Sequence, residues 1–286
     1  MTVPPLLALL DGSLHDISTP LLRADDLGVV RGDGVFDATL ASREGIRDLD
    51  HHLTRLERSA SILHLPRPDL EGFRRAVDAL VAAWDWDAAA EIIVRMIHTR
   101  GQEGGGAPSS YVIASALATS AIAERESGVT VITLDRGHEG SGVHDLPWLL
   151  PGAKSLSYGI NMAAKRYAQA QGADDALFVS PAGSLLEGPT STLLLDLDGV
   201  LVSPKQEGIL ESVTLRQLID DAESEGLEVA LRDLDRDALR EARGGWLLSS
   251  GRLAAAILSI DGVAMPKSPL HDALFRVLRV PAPPLA

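Results

Sequence analysis

Two strings in the second half of the chain decide the fold: Lys154-Ser-Leu-Ser-Tyr158 and Leu186-Glu-Gly-Pro-Thr-Ser-Thr192. Between them, apolar residues recur at helical spacing over residues 158–171, and Gly172 is placed to end that helix. The apolar run that follows, over residues 176–180, predicts a short buried strand. The sequence therefore predicts a lysine directly before a helix and a glutamate just after the next strand.

Strands and helices are also mixed upstream of these strings. Apolar or alternating runs near turn signals predict strands at Leu6–Leu10, Gly34–Ala41 and Glu91–Thr99. Apolar residues at three- and four-residue spacing predict amphipathic helices at Asp50–Leu63 and Leu70–Trp84. Such a mixture is typical of an α+β fold.

The rest of the second half has a strong hairpin signal, Asp198-Gly199, between two apolar runs. Residues Val213–Gly226 have the spacing of a helix, and Gly245–Ile260 that of a strand pair or a strand with a loop. Each half of the chain therefore carries its own set of strands and helices.

The domain boundary is predicted from this change of element set. The glycine-rich segment Gly101–Pro108 interrupts two strands and is expected to be a loop. A better boundary lies in Thr119–Ser127, where one set ends and another begins. We expect a smaller N-terminal α+β domain at residues 1–122 and a larger C-terminal domain at residues 123–286.

The composition restricts the function. The chain has 286 residues, of which 45% are hydrophobic, and a net charge of −14. Because this surface repels a phosphate backbone, nucleic acid is not expected as a partner. The absence of cysteine excludes disulfides, thiolate metal sites and cysteine nucleophiles. No basic leader and no apolar run near 20 residues are present, so we expect a cytoplasmic protein with no membrane partner.

The two opening strings resemble the class IV aminotransferases, a family that includes branched-chain aminotransferases, D-amino acid aminotransferases and 4-amino-4-deoxychorismate lyases. The likeness extends over nearly the whole chain, and several motifs in the family's order are stronger than any one motif. The further matching segments are Arg31-Gly-Asp-Gly-Val-Phe36, His52-Leu-Thr-Arg55-Leu56, Gly172-Ala-Asp-Asp175, Gly208-Ile-Leu210 with Val213-Thr214, and Trp246-Leu-Leu-Ser-Ser250 through Asp261-Gly262. The resemblance implies a two-domain fold with pyridoxal 5′-phosphate (PLP) between the domains, and a homodimer.

PLP requires an amine for its aldehyde and a carboxylate for its pyridine nitrogen. Lys154 is the expected Schiff-base lysine and the catalytic residue, and Glu187 is the expected carboxylate. By resemblance, Tyr158 lies near the phenolic oxygen of the cofactor. Without the accompanying motifs, Lys154 would be interpreted as an ordinary solvated lysine.

The cofactor's phosphate requires hydrogen-bond donors. Arg55 is the expected cation, although a helical arginine among acidic residues is also typical of a surface ion pair. Val213 and Thr214 open a predicted helix whose first N–H groups suit a phosphate dianion. Ser250 is expected to add a hydroxyl donor.

Departures from the family pattern favour one activity. Branched-chain members usually have Phe-Glu-Gly where this chain has Phe36-Asp37-Ala38, and an asparagine where it has Thr192. Ser212 replaces a common glycine and Ala256 a common proline. The sequence looks more like an aminodeoxychorismate lyase, which forms 4-aminobenzoate and pyruvate for folate synthesis. The alternatives are an aminotransferase acting on branched-chain or D-amino acids, and a PLP-binding relative without turnover.

The substrate of such a lyase carries two carboxylates, and the guanidinium group of arginine binds a carboxylate through two parallel hydrogen bonds. Arg252 follows Ser250 closely and Arg95 lies in a predicted strand, so both are expected to contact a substrate carboxylate. The alternative is that Arg252 points to solvent and that Arg95 pairs with a structural carboxylate such as Glu91.

Three other features are not assigned to a site. His138 and His144 do not have the spacing of a known metal motif, so no metal is expected. Gly32-Asp-Gly34 lacks the third glycine of a dinucleotide fingerprint and is interpreted as a tight turn. His51 and His52 are expected to lie at the start of a helix.

Overall fold

The structure is a computed structural model that describes residues 3–139 and 145–279. It divides into two compact units. The first contains the described residues of Met1–Ala118 together with Ala153–Tyr158, and the second those of Thr119–Gly152 and Gly159–Ala286. The units thus separate after Ala118, whereas the sequence predicted a boundary after residue 122. The chain returns to the first unit at Ala153–Tyr158, and the sequence contains no signal for this return.

Six strands form an antiparallel sheet in the described part of the first unit, in the order β2-β1-β6-β5-β3-β4. Their bounds are β1 Leu6–Leu9, β2 Leu14–Asp16, β3 Gly34–Ser42, β4 Gly45–Ile46, β5 Glu91–Thr99 and β6 Ser110–Ala116. The loop predicted at Gly101–Pro108 joins β5 to β6.

The helices of the first unit are α1 Leu27–Val30, α2 Leu49–Ile62 and α3 Leu70–Ala83. The carboxylate of Asp69 caps α3 by accepting a hydrogen bond from Gly72 N–H at 2.9 Å. The apolar face of α2 packs on β3 and that of α3 on β1 and β6, because each helix has an apolar stripe at helical spacing. This packing buries one face of the sheet.

The second unit is built on a mixed sheet. Its described strands follow the order β11-β10-β9-β12-β13-β7-β8, with β14 paired to β13. Their bounds are β7 Val129–Asp135, β8 Asp175–Val179, β9 Thr192–Leu197, β10 Val200–Pro204, β11 Val229–Arg232, β12 Gly244–Ser249, β13 Leu253–Ile260 and β14 Val263–Ala264. Pairing is parallel in β10–β11, β7–β13 and β7–β8 and antiparallel elsewhere. The central strands are buried on both faces and read as continuous apolar runs.

The helices of the second unit are α4 Thr119–Ser127, α5 Gly159–Ala170, α6 Val213–Asp221, α7 Arg236–Glu241 and α8 His271–Val277. Single 3₁₀ turns occur at Pro147–Leu149 and Ala222–Glu225. In the described part of the chain, every helix is too short or too polar to cross a bilayer.

The predicted elements agree with this fold at most positions, with small shifts at their ends. The hairpin prediction is confirmed: Asp198 and Gly199 join β9 to β10 with φ of 56° and 87°, as a type I′ turn requires. The helix predicted over Val213–Gly226 is shorter, because α6 ends at Asp221 and tightens into a 3₁₀ turn before Gly226. The α+β class is confirmed.

Candidate active site

The segment Lys154–Tyr158 lies along the first residues of β3. Phe36 N–H donates to the carbonyl of Lys154 at 3.0 Å, and Leu156 N–H donates to that of Gly34 at 2.8 Å. The N–H of Lys154 donates to Ser59 Oγ on α2 at 3.1 Å. The backbone of the lysine is therefore fixed by both a strand and a helix of the first unit.

Two glycines allow this close approach. Gly32 has φ of 68°, and a Cβ there would lie 2.8 Å from Ser157 Oγ and 3.1 Å from its Cα. A Cβ at Gly34 would lie 2.7 Å from Leu156 Cδ1 and 2.9 Å from the carbonyl oxygen of His98. The Gly32-Asp-Gly34 string thus does more than turn the chain, because it forms the surface on which the lysine segment packs.

The side chain of Lys154 lies between two aromatic rings. Its Nζ is 4.8 Å from the ring centroid of Phe36 and 5.7 Å from that of Tyr158. The rings pack edge to face, with centroids 5.3 Å apart and an interplanar angle of 84°. Because an ammonium is attracted to aromatic faces, the two rings hold the amine in a defined position.

Arg55 lies on α2 and faces β3, where it pairs with Asp37. Its Nε and Nη2 donate to the two carboxylate oxygens of Asp37, each at 2.8 Å. The ring Nδ1 of His52, one helical turn before Arg55, lies 2.7 Å from Asp37 Oδ1. All three side chains are buried, and Asp37 is 0% exposed. His52 is therefore part of a buried network in addition to lying near the start of the helix.

The charges in this network follow from its electrostatics. Burial would raise the pKa of Asp37, but the attraction of Arg55 and His52 outweighs burial and holds that pKa well below its usual range. Burial, together with the positive charge of Arg55, lowers the pKa of His52 although Asp37 opposes this shift. At neutral pH the network thus contains a carboxylate, a guanidinium and a neutral imidazole that donates its Nδ1–H.

Glu187 lies in the second unit, at the start of a tight turn after β8. Its Oε2 accepts a hydrogen bond from Leu210 N–H at 3.2 Å. The turn is closed by Gly188 N–H, which donates to the carbonyl of Ser191 at 2.8 Å. Asn161 on α5 donates its side-chain amide to the carbonyl of Pro189 at 2.7 Å. The glutamate is therefore positioned by its own turn, by α5 and by the segment that leads to α6.

The start of α6 has the features of an anion site. Ser212 is the N-cap, and its Oγ accepts a hydrogen bond from Leu215 N–H at 3.2 Å. Val213 and Thr214 occupy the first two helical positions, where N–H groups have no acceptor within the helix. The replacement of a common glycine by Ser212 therefore supplies a cap while the first helical turn stays suited to an anion.

Ser250 lies in the turn between β12 and β13. This turn is held by Arg125 of α4, which donates through Nε to the carbonyl of Arg252 at 3.1 Å and through Nη2 to that of Gly251 at 2.9 Å. The sequence contains no local signal for this contact, because Arg125 lies more than 120 residues before the turn.

Arg252, which the sequence predicted to contact a substrate carboxylate, is buried within the second unit. Its Nη1 donates to Glu124 at 2.6 Å and its Nη2 to Asp175 at 2.9 Å. The side chain is 4% exposed and that of Asp175 is 0% exposed. This arrangement favours a structural role for Arg252, and it also differs from the alternative in which Arg252 points to solvent.

Arg95 lies opposite Ala38 on the face of the first sheet that also carries Phe36. The residue is exposed, and its Nη1 donates to Ser115 Oγ at 2.9 Å. Partial desolvation lowers the pKa of its guanidinium. Arg95 is therefore a cation on the same sheet face as the aromatic ring that contacts Lys154.

Of the two histidines that were considered as metal ligands, one lies within the described residues. His138 has its Nδ1 3.1 Å from the carbonyl oxygen of Glu139, whereas His144 lies outside the described residues. Within residues 3–139 and 145–279, no three histidine or carboxylate side chains are grouped as metal ligands.

Comparison with known proteins assigns the family. Residues 34–260 match the family described as amino-transferase class IV. The bifunctional aminodeoxychorismate lyase / D-amino acid transaminase of Mycobacterium tuberculosis is 42% identical over 272 residues, which cover 92% of this chain and 94% of that protein.

Solved structures agree with this match. A hypothetical aminotransferase from M. tuberculosis in its PLP-bound form has a TM-score of 0.92 and 39% identity, covering 96% of this chain and 97% of that one. A fold IV transaminase from Curtobacterium pusillum has a TM-score of 0.89 and 38% identity, covering 96% and 99%. The expected fold is confirmed, and the chain belongs to the class IV aminotransferase family.

Proposed function

We propose that this protein is a PLP-dependent enzyme in which Lys154 attaches the cofactor. The observation that carries the proposal is the position of the lysine amine, which lies between Phe36 and Tyr158 on a backbone fixed by β3 and α2. The PLP-bound form of a relative with 39% identity supports the same cofactor.

The side chains present suit this cofactor. When bound, PLP supplies an aldehyde for an amine and a ring that accepts electrons. Glu187 provides a carboxylate for the pyridine nitrogen, and its hydrogen bond from Leu210 N–H positions that carboxylate. Tyr158 provides a phenol next to Lys154.

The chain also offers candidate donors for the phosphate. Arg55 provides a guanidinium whose orientation Asp37 fixes. Val213 and Thr214 provide the N–H groups of the first turn of α6, and Ser250 provides a hydroxyl. A guanidinium, the N–H groups of a helix N-terminus and a hydroxyl are each donor types that suit a phosphate dianion.

For the reaction, we propose aminodeoxychorismate lyase activity. Lys154 removes the proton from the ring carbon that carries the substrate's amino group, and the bond between the ring and the enolpyruvyl oxygen breaks. The enolpyruvate that leaves takes up a proton on its methylene carbon and becomes pyruvate. The second product is 4-aminobenzoate, which serves folate synthesis. Arg95 is the proposed contact for a substrate carboxylate, and the ion pairs of Arg252 support a structural role for that residue.

A D-amino acid transaminase is the second candidate, because the relative with 42% identity is described as having both activities. Lys154 would then move a proton between the substrate and the cofactor. The two reactions share the first proton transfer, so the residues that serve the cofactor do not distinguish them.

The experiment that tests this proposal uses purified holoenzyme in two assays. One supplies aminodeoxychorismate and follows 4-aminobenzoate and pyruvate, and the other supplies D-alanine with 2-oxoglutarate and follows D-glutamate. We expect the first assay to give the larger kcat/KM. Turnover in the second assay alone would refute the lyase, and no turnover in either would support a PLP-binding relative without activity.

We also propose a cytoplasmic homodimer. Large apolar side chains are exposed in the second unit, including Trp148 at 70%, Ile160 at 66% and Tyr167 at 53%. Exposed apolar groups of this size are typical of protein interfaces. Light scattering coupled to size-exclusion chromatography should give twice the chain mass of 30.3 kDa, and the mass of a single chain would contradict this proposal.

A further inference from the structure

The buried network of Asp37, His52 and Arg55 has a role that the cofactor contacts alone do not explain. We propose that Asp37, supported by His52, is a positioning residue that orients Arg55 toward the phosphate of the cofactor. This inference rests on the proposed function, since it requires that Arg55 binds that phosphate.

The geometry of the guanidinium is the first support. Asp37 binds the edge of Arg55 that Nε and Nη2 form, through two bonds of 2.8 Å. Two parallel bonds fix the plane of a guanidinium as well as its direction. The planar group has another edge, formed by Nη1 and Nη2, which points away from the carboxylate. Because the guanidinium is planar, Asp37 also fixes the direction in which this second edge faces.

The carboxylate itself is held in place. Its Oδ1 accepts hydrogen bonds from Ala38 N–H and from His52 Nδ1–H, both at 2.7 Å, in addition to the bond from Arg55. A rotation of the Asp37 carboxylate would break several of these bonds at once. Because Asp37 belongs to β3 and the other two side chains to α2, the orientation of Arg55 is fixed by the sheet as well as by its own helix.

The helical turn that carries Arg55 also holds the lysine segment. Ser59 Oγ donates to the carbonyl of Arg55 at 2.8 Å and accepts the N–H of Lys154 at 3.1 Å. The same turn of α2 thus positions both the guanidinium of Arg55, which is proposed to bind the phosphate, and the backbone of Lys154. Replacement of a buried ion pair by apolar side chains of similar volume is often neutral or stabilising, so helix packing alone does not require this ion pair.

The test compares the binding of PLP with that of pyridoxal, which lacks the phosphate. The apo form of each variant is titrated with each ligand, and dissociation constants are measured by quenching of tryptophan fluorescence. For Asp37→Asn we expect the preference for PLP over pyridoxal to fall by at least about tenfold, with pyridoxal binding nearly unchanged. An unchanged preference in folded Asp37→Asn protein would overturn the inference.

Asp26→Asn is the matched control. Asp26 is also a buried carboxylate of the first unit, but it accepts hydrogen bonds from Gly28 N–H and from the hydroxyls of Thr99 and Ser109. This change should lower stability and leave the ligand preference intact. An equal loss of preference in Asp26→Asn would overturn the inference, because the effect would then follow from any buried carboxylate of this unit.

A second pair of variants separates positioning from general damage. In the Arg55→Ala background, adding Asp37→Asn should cause no further loss of preference, because Asp37 acts through Arg55. A further loss would overturn the inference. If Asp37→Asn does not fold, His52→Gln replaces it; it keeps the ion pair and should give a smaller but measurable loss, whereas an unchanged preference again overturns the inference.

Failure of the inference is distinguishable from failure of the proposed function. If the wild-type protein binds PLP no better than pyridoxal, the phosphate site itself is wrong. If the wild type prefers PLP and Arg55→Ala removes this preference while Asp37→Asn does not, only the role of Asp37 is refuted.

Discussion

Removal of the buried guanidinium of Arg252 should destabilise the protein strongly. In Arg252→Met, Asp175 loses its cationic partner inside the second unit, where its side chain is 0% exposed. Breaking a buried ion pair by removing one partner costs about 3–5 kcal/mol. We expect a value near the lower limit, roughly 3 kcal/mol, because Asp175 keeps a hydrogen bond from Ala176 N–H and Glu124 is 22% exposed to water.

The assay is thermal unfolding of the apo protein, so that cofactor binding does not contribute to the melting temperature. For a chain of this size, about 3 kcal/mol corresponds to a fall in Tm of about 6–12 °C. Arg276→Met is the matched control, because Arg276 pairs with Glu225 at 2.8 Å but is 57% exposed. That exposed pair should contribute at most about 1 kcal/mol.

Two results would refute this reasoning. The first is an Arg252→Met protein that is as stable as the Arg276→Met control. The second is an Arg252→Lys protein that keeps its Tm and its PLP spectrum but loses kcat/KM by about 100-fold, since one lost charge-assisted contact to substrate is worth about this factor. The second result would restore Arg252 as the substrate contact that the sequence predicted.

Three further predictions concern the cofactor and the first unit. Glu187→Gln should lower kcat far more than PLP affinity, whereas Arg55→Ala should lower PLP affinity and regain activity with excess PLP, as measured by kinetics across a PLP titration. The pKa of buried His52 is lowered in the folded state, so its contribution to stability should be complete above pH of about 6.5 and should decline below that pH. Urea unfolding from pH 5 to 8 should therefore show a smaller fall in the free energy of unfolding for His52→Gln than for the wild type. Gly32→Ala should cost about 1–3 kcal/mol because of its positive φ, and it should also impair activity by displacing the lysine segment; a variant with wild-type stability and kinetics would contradict that packing.

Local patterns in the sequence predicted the elements that depend on neighbouring residues. Asp198-Gly199 has the turn chemistry of its hairpin, and apolar spacing placed the helices that carry Arg55 and Thr214. The motif strings placed Lys154 in one short segment with Tyr158. These features can be predicted from the sequence because the spacing of residues along the chain determines them.

Partners that are distant in sequence were not predictable. Arg252 binds carboxylates 128 and 77 residues away, so only the folded sheet brings these groups together. Asp37 was noted as a departure from a family pattern, but its bond to Arg55 depends on the register of β3 against α2. The pairing of two polar residues across elements therefore requires the structure.

The central claim is that Lys154 attaches the cofactor, and reductive labelling tests it most directly. Borohydride treatment of the PLP-loaded protein, followed by digestion and mass spectrometry, identifies the modified peptide. The chain has only four lysines, Lys154, Lys165, Lys205 and Lys267, so the assignment is unambiguous. We predict a stable phosphopyridoxyl label on Lys154 alone, whereas a label on another lysine, or no label with PLP bound, would contradict the account.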